Sequence, residues 1–268
     1  MIQPENPISD SAATNAPHSP APQPTALQPA ADFVDVVDDQ TQVPQQRADL
    51  PLYNSLVNDA EVRELIALSD EYLAAIGYTD HGIRHVGRVA MRAARIVRLV
   101  DGTPHEQDMA ACAGLLHDIG NLVHRSEHDQ SSALIAFDLL RARSVPLPDV
   151  ARICGAIGNH DEHKGEPVSR ISAALIIADK TDVLRSRVRN HKLMHFDIHE
   201  RVNYAATRST ITVEAHRHLI TLRLEIDTDV ASVMEYFEIF LTRMTMSRRA
   251  STYLNCDFRL VINDTILM

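Results

Sequence analysis

The sequence predicts a mainly α fold: a helical bundle over residues 56–203, with a small α+β extension at 204–268 and a disordered tail at 1–55. Three observations predict it. Apolar residues recur at helical spacing from about residue 58, the period shortens to two after residue 205, and nine of the 13 prolines crowd into residues 1–51.

The tail is built from Pro, Gln, Ala, Ser and Asp. Such a stretch cannot bury enough apolar surface to offset the entropy of ordering it. Its exception is Phe33-Val34-Asp35-Val36-Val37-Asp38, an acidic-apolar segment that reads first as solvated linker and alternatively as a docking element for a partner. Helix is expected over 61–76, where Val62, Leu65, Ile66, Leu73 and Ile76 share a face. It is expected again over 82–101, where Val86, Val89, Ala93, Ile96, Val97 and Val100 form a stripe. Residues 106–118 are rich in Ala and Leu and stop at Gly120. Further helices fit 131–142, 149–159 and 169–185, with Pro146, Pro148 and Pro167 at the breaks.

The alternation of Ile211 and Val213, then of Ile220, Leu222, Leu224 and Ile226, reads as a β-hairpin connected through residues 215–218. Asp227, Thr228 or Asp229 then caps a helix to about residue 249, with Val233, Phe237, Phe240, Leu241 and Met244 on one face. Residues 258–262 and 265–267 flank Asn263-Asp264, a second hairpin. An extension of this kind leaves a free sheet edge, the motive for expecting a homodimer through it.

Composition narrows the function classes. A hydrophobic content of 45% permits a substantial core, while 4% aromatics and no Trp make that core aliphatic. They also leave little for stacking single-stranded nucleic acid. Residues 1–50 hold seven acids and one arginine, a charge of −6, which leaves −4 of the chain's −10 for the rest. Nearly balanced charge disfavours extended nucleic acid and anionic membranes as partners. Cys112, Cys154 and Cys256 are odd in number and widely spaced, as free thiols of a reducing cytoplasm are. There is no basic start followed by an apolar run, and no apolar stretch of roughly 20 residues, so a cytoplasmic protein without a membrane span is expected.

Eight of the 14 histidines fall between residues 81 and 163. Among them runs an ordered series of donors: His85, His117-Asp118, His128 and His160, followed by Asp179. The gaps are 31 residues before His117, nine before His128, 31 before His160 and 18 before Asp179. Each donor therefore sits in or beside a different helical segment, and side chains from several helices can converge in a bundle to bind metal. Taken singly, each has a bland reading: a core histidine, a polar helix end, an Asp179–Lys180 pair. Taken jointly, the bland readings require six buried polar groups with no shared purpose, which is costly. Four imidazoles and two carboxylates exceed one tetrahedral ion and suit two, with Asp118 shared. His81, His124 and His163 stand one helical turn from members of the series and read as its neighbours or as surface. His105, His191, His195, His199, His216 and His218 read as solvated or structural.

The arrangement resembles the HD-domain superfamily of metal-dependent phosphohydrolases over residues 80–190. The matching pieces are His81-Gly82-Ile83-Arg84-His85, His117-Asp118-Ile119-Gly120 and Ala178-Asp179-Lys180-Thr181-Asp182. The resemblance implies an HD-domain helical bundle. It implies a first metal on His85, His117, Asp118 and Asp179, and a second on His128 and His160. The metals would be divalent, drawn from manganese, iron, zinc, cobalt and magnesium. It further implies hydrolysis of a nucleotide or other small phosphoester by metal-activated water, with Asp118 and Lys180 catalytic. Arg84, Arg88, Lys180 and Arg185 are the candidate substrate binders, with Arg187 and Arg189 beyond them.

Two departures bear on substrate. The Gly-Tyr-Pro element of the cyclic-dinucleotide branch is replaced by His160-Asp161-Glu162-His163-Lys164-Gly165-Glu166-Pro167, and the Glu-Asp pair of alarmone hydrolases is absent after the dyad. Two alternatives stay open on ligands alone. One is a di-iron oxygenase of the kind that shares this fold, and the other is a non-catalytic nucleotide-binding regulator.

Overall fold

The computed structural model describes residues 34–36, 50–189 and 198–268; of residues 34–36 it describes the backbone alone. In chain order the described elements are β1 (Val34–Val36), α1 (Pro51–Val57), α2 (Ala60–Ala75), α3 (Ile83–Leu99), α4 (Pro104–Leu116), α5 (His128–Ala142), α6 (Leu147–Ile157), α7 (Arg170–Lys180) and α8 (Ile198–Ala205). Then follow β2 (Ala206–Glu214), β3 (Leu219–Ile226), α9 (Val233–Tyr253), β4 (Asp257–Ile262) and β5 (Thr265–Ile266). No helix among the described residues is long and apolar enough to cross a membrane.

Local chemistry sets these boundaries. Asp59 caps α2 by accepting from the amides of Glu61 and Val62. Thr103 and Glu106 close a reciprocal capping box at the start of α4, with Pro104 in the first turn, and Ser232 and Glu235 do the same for α9. The cap of α9 is therefore Ser232, three residues beyond the latest of the three acidic and hydroxyl residues expected for it. Helix α5 begins at His128, three residues earlier than the hydrophobic pattern suggests, because Glu127 adopts a left-handed conformation that turns the chain into it. Helix α7 ends at Lys180 rather than 185, and a short 3-10 turn covers Arg185–Arg187.

The four strands of the α+β extension and β1 of the tail form one five-stranded sheet in the order β1-β2-β3-β4-β5. Both expected hairpins form, and Asn263 and Asp264 adopt the positive φ values of the tight turn. The sheet is mixed rather than a simple meander, because α9 crosses over and lays β4 parallel to β3 from Leu219↔Asp257 to Leu224↔Ile262. A single apolar core runs from Leu50 and Tyr53 through α3, α4 and α7 to Phe258, Leu260 and Ile262. Helix α9 packs on α7, so the extension shares the core of the bundle.

Two expectations for the tail are corrected. Its boundary at residue 55 is too late, because α1 starts at Pro51 and buries Tyr53 and Leu56. The tail is also not disordered throughout, because the Val34–Val36 segment pairs with Ile211–Val213 of the chain's own sheet. Phe33, Val37, Asp38 and the other tail residues up to 49 lie outside the described residues.

Candidate metal centre

Helices α3 and α4 carry the first two imidazoles, and they approach each other closely. A Cβ on Gly114 would stand 2.6 Å from the Cα of Ala90, so only glycine admits this contact. It brings His85, near the start of α3, beside His117, the C-cap of α4. Asp118 follows and opens a 3-10 turn over Ile119–Leu122. Gly120 does not stop the chain, as its sequence position suggests. Its role is contact: a Cβ there would meet the carbonyl oxygen of His128 and the amide of Ser132, both at 2.3 Å. That approach sets the first residue of α5, His128, against the dyad. His160 arrives three residues after α6, and Asp179 comes from the last turn of α7.

The six donors meet. His117 Nε2 lies 3.1 Å from Asp118 Oδ2 and 3.6 Å from Asp179 Oδ1, and His85 Nε2 lies 3.6 and 3.5 Å from the same two oxygens. On the other side, His128 Nε2 is 3.5 Å from Asp118 Oδ1 and 3.1 Å from His160 Nε2. Donors that share one small cation at bonds of roughly 2.1 Å lie about 3–4 Å apart, so these spacings fit. Asp118 presents one oxygen to each side.

Three of the four imidazoles are also set in a ligand-competent orientation. His85 Nδ1 faces Asp182 Oδ2 at 2.7 Å, His117 Nδ1 faces the Gly114 carbonyl at 2.8 Å, and His160 Nδ1 faces the Ile157 carbonyl at 2.6 Å. Those oxygens only accept, so each ring donates from Nδ1 and turns Nε2 inward. The Nε2 atoms of His85 and His117 are buried and have no hydrogen-bond partner among the described residues. Buried orphaned nitrogens are rare and costly, and facing two carboxylates they are what a divalent cation would satisfy. The buried His/Asp clusters fit a metal site.

The charges agree. Burial alone would raise Asp118 and Asp179, yet the facing His117 and Lys180, respectively, hold both well below the usual carboxylate range. Burial alone would depress His117, but Asp118 and Asp179 push it up to about 10. The two carboxylates draw positive charge to this point. Burial lowers His128 and lowers His160 further, which keeps these two rings neutral.

Around the donors runs a supporting layer that sequence reasoning only partly found. Asp182 is fully buried and takes His85, Arg88 Nη1 at 3.0 Å and Arg92 Nη1 at 3.2 Å, while its backbone carbonyl accepts from Arg187 at 2.8 Å. These contacts hold its carboxyl far below the normal range against the effect of burial. It follows Asp179 by three residues, but neither periodicity nor composition distinguishes it from an ordinary acid at a helix end. Asn121 donates to the Asp118 carboxylate at 3.0 Å, and Ser69 donates to the Asp118 carbonyl at 2.9 Å.

The centre opens on a cleft of about 830 Å³ whose walls include Tyr78, His81, Arg125, His128, Glu162, Arg187, His199, Glu200 and Arg243. That size suits a small organic ligand. His124 and His163 line it too. His199, expected to be solvated or structural, is a wall residue, whereas His105 pairs with Asp149 at the surface. His191 and His195 lie outside the described residues.

The cations expected to bind substrate are placed elsewhere. Arg84 pairs with Asp80, Arg88 with Asp182, and Arg185 with the Tyr204 carbonyl at 2.6 Å while stacking on that ring. None of the three lines the cleft. Lys180 is buried between Asp179 at 2.9 Å and Glu162 at 2.5 Å, so it orients a donor instead of reaching into the cleft. Arg189 is bound to Asp70 and to the Tyr78 carbonyl.

Comparison with known proteins agrees with this geometry. Residues 82–186 match the family model described as HD domain, a span that holds all six candidate donors. The chain is also 27% identical over 161 residues to an uncharacterized protein of Methanocaldococcus jannaschii, a match covering 52% of this chain. The chain spans 61% of the length of that relative.

Proposed function

We propose that this protein, a member of the HD-domain superfamily through residues 82–186, is a metal-dependent phosphohydrolase acting on a nucleotide or another small phosphoester. The observation that carries the reading is the pair of buried, unpartnered Nε2 atoms on His85 and His117 facing Asp118 and Asp179. In this reading His85, His117, Asp118 and Asp179 would hold one divalent cation, and His128 and His160, with Asp118 shared, would hold another. Divalent cations in such a site acidify water toward neutrality and neutralise phosphoryl charge.

The chain's own groups do the rest. Asp182 fixes the tautomer of His85, and Lys180 fixes the carboxylate of Asp179. Asn121 holds Asp118 between the two sides. The near-complete burial of His85, His117 and His160 keeps bulk water from the donors, and the cleft admits substrate from the side of His128 and His81.

The test is metal analysis of anaerobically purified protein together with a turnover screen over nucleotides and phosphodiesters. Wild type and the double substitution His117→Ala/Asp118→Ala are run side by side. Stoichiometric metal and phosphate release in wild type, both lost in the double variant, is the expected result. Full metal content and full turnover in the double variant would reject the site. Oxygen consumption by an iron-loaded protein without phosphoester turnover would replace hydrolysis by oxygenation.

A further inference from the structure

We propose that Arg243, on α9 and outside the HD segment, is the substrate-phosphate clamp of this cleft. The inference rests on the phosphohydrolase reading and specifies which chain element grips the anion. Arg243 lines the cleft with a side chain only 24% exposed. Its Nε donates to Glu162 Oε1 at 3.2 Å, and its guanidinium lies 4.9 Å over the Phe240 ring. Those two contacts fix the plane of the group. Its two terminal amino groups make no hydrogen bond among the described residues. A guanidinium on a cavity wall, anchored through Nε and with no hydrogen bond from its terminal amino groups among the described residues, is preorganised for two parallel bonds to phosphate oxygens.

Its position suits that role. Glu162 bonds Arg243 on one side and Lys180 on the other, and Lys180 bonds Asp179. The open fork is thus tied by three successive ion pairs to a proposed metal donor, on the same cleft as His128. The other cleft arginines are less available. Arg187 spends Nε on the Asp80 carbonyl and Nη1 on the Asp182 carbonyl. Arg125 stacks on Tyr78 and bonds Asn121, with no carboxylate to anchor it. Arg84, Arg88 and Arg185 lie off the cleft, and Arg243 takes over the role expected of them.

The test measures binding of inorganic phosphate to the full-length, manganese-loaded protein by calorimetry, with bound metal quantified in every sample. Arg243→Gln is expected to weaken phosphate binding about tenfold or more, the effect of losing charge-assisted hydrogen bonds, when samples of equal bound metal are compared. Arg243→Lys retains a charge beside Glu162 but not the fork, and its affinity should fall between the two. Affinity within twofold of wild type for Arg243→Gln overturns the inference. So does a larger loss in Arg125→Gln, or wild type that binds metal and no phosphate. Wild type that takes up no metal defeats the phosphohydrolase reading instead, and phosphate binding that still depends on Arg243 would then stand by itself.

Discussion

Replacing Gly114 by Ala should destabilise the protein and loosen its metal centre, against what helix propensity alone dictates. Gly114 lies inside α4, where Ala is favoured over Gly by about 1 kcal/mol. Its neighbour, however, is backbone: an added Cβ would lie 2.6 Å from Ala90 Cα, 2.7 Å from Ala90 N and 3.0 Å from Val89 C, where ordinary contact begins near 3.4 Å. Helices α3 and α4 must therefore part by about 0.8 Å. Overpacking of that kind costs about 1–3 kcal/mol, so the net change is destabilising. The same displacement separates His85 from His117. Metal sites tolerate only about 0.2 Å in ligand distance, so affinity should fall by about tenfold or more. Urea unfolding of the metal-free protein measures the first effect and a chelator competition titration the second. Gly87 in α3 supplies the control, because an added Cβ there meets nothing within 4 Å. Gly87→Ala should stabilise by about 0.5–1 kcal/mol and leave metal affinity alone. If both substitutions stabilise, or if Gly114→Ala binds metal as wild type does, the close-approach argument is wrong.

Other expectations follow from single side chains. Asp182→Asn removes the buried charge and one of the two oxygens that accept from His85, Arg88 and Arg92, and should cost about 3–5 kcal/mol in denaturant unfolding and about 10–100-fold in metal affinity; an unchanged affinity would remove Asp182 from the site. Glu106 should give pH-dependent stability. Burial alone would raise its carboxyl, but the Thr103 amide and hydroxyl and Arg170 hold it below the usual glutamate value. A depressed folded value means stabilisation present above the unfolded value of about 4.3 and lost as pH falls through the lower folded value. The stability gap between wild type and Glu106→Gln should thus shrink below about pH 4, and a gap that stays constant with pH would contradict the assignment. Arg84→Ala removes a side chain 65% exposed and paired with Asp80 at the surface. It should shift stability by no more than about 0.5 kcal/mol and leave phosphate affinity unchanged, which calorimetry on the same samples used for Arg243 would check.

The convergence of the six candidate donors was legible in the sequence because His and Asp in a spaced series fall on separate helices that can meet in a bundle. The sheet was legible as two alternating segments and an Asn263-Asp264 turn. What escaped is what depends on contacts between remote segments. The parallel pairing of β3 with β4 follows from where α9 lands, and local patterning of the strands does not encode it. The start of α5 at His128 depends on one left-handed residue, Glu127, which carries no sequence mark of that conformation. Arg84, Arg88 and Arg185 looked like phosphate binders because they stand beside donors in the chain, but acids at Asp80, Asp182 and Asp227 claim them. A helix neighbour of a ligand often points away from it. Arg243 was invisible because 81 residues separate it from Glu162.

The position of Arg243 has a consequence for how the chain divides its work. Asp179, Lys180, Glu162 and Arg243 form a line of alternating charges, and the first three are largely buried. Removing one member of such a line leaves its neighbour inside the protein with uncompensated charge, which costs more than the pair contributes when intact. Glu162 sits between two cations, and both lower its carboxyl against the effect of burial. If α9 were removed, Glu162 would lose Arg243 and lean on Lys180, which would then be shared between two carboxylates. Its hold on Asp179 would change with it. The extension therefore bears on the metal donors as well as on the cleft wall. A fragment ending with the HD segment at residue 186 would retain all six candidate donors, yet lack both the Arg243 guanidinium and the charge it presents to Glu162, the partner of Lys180.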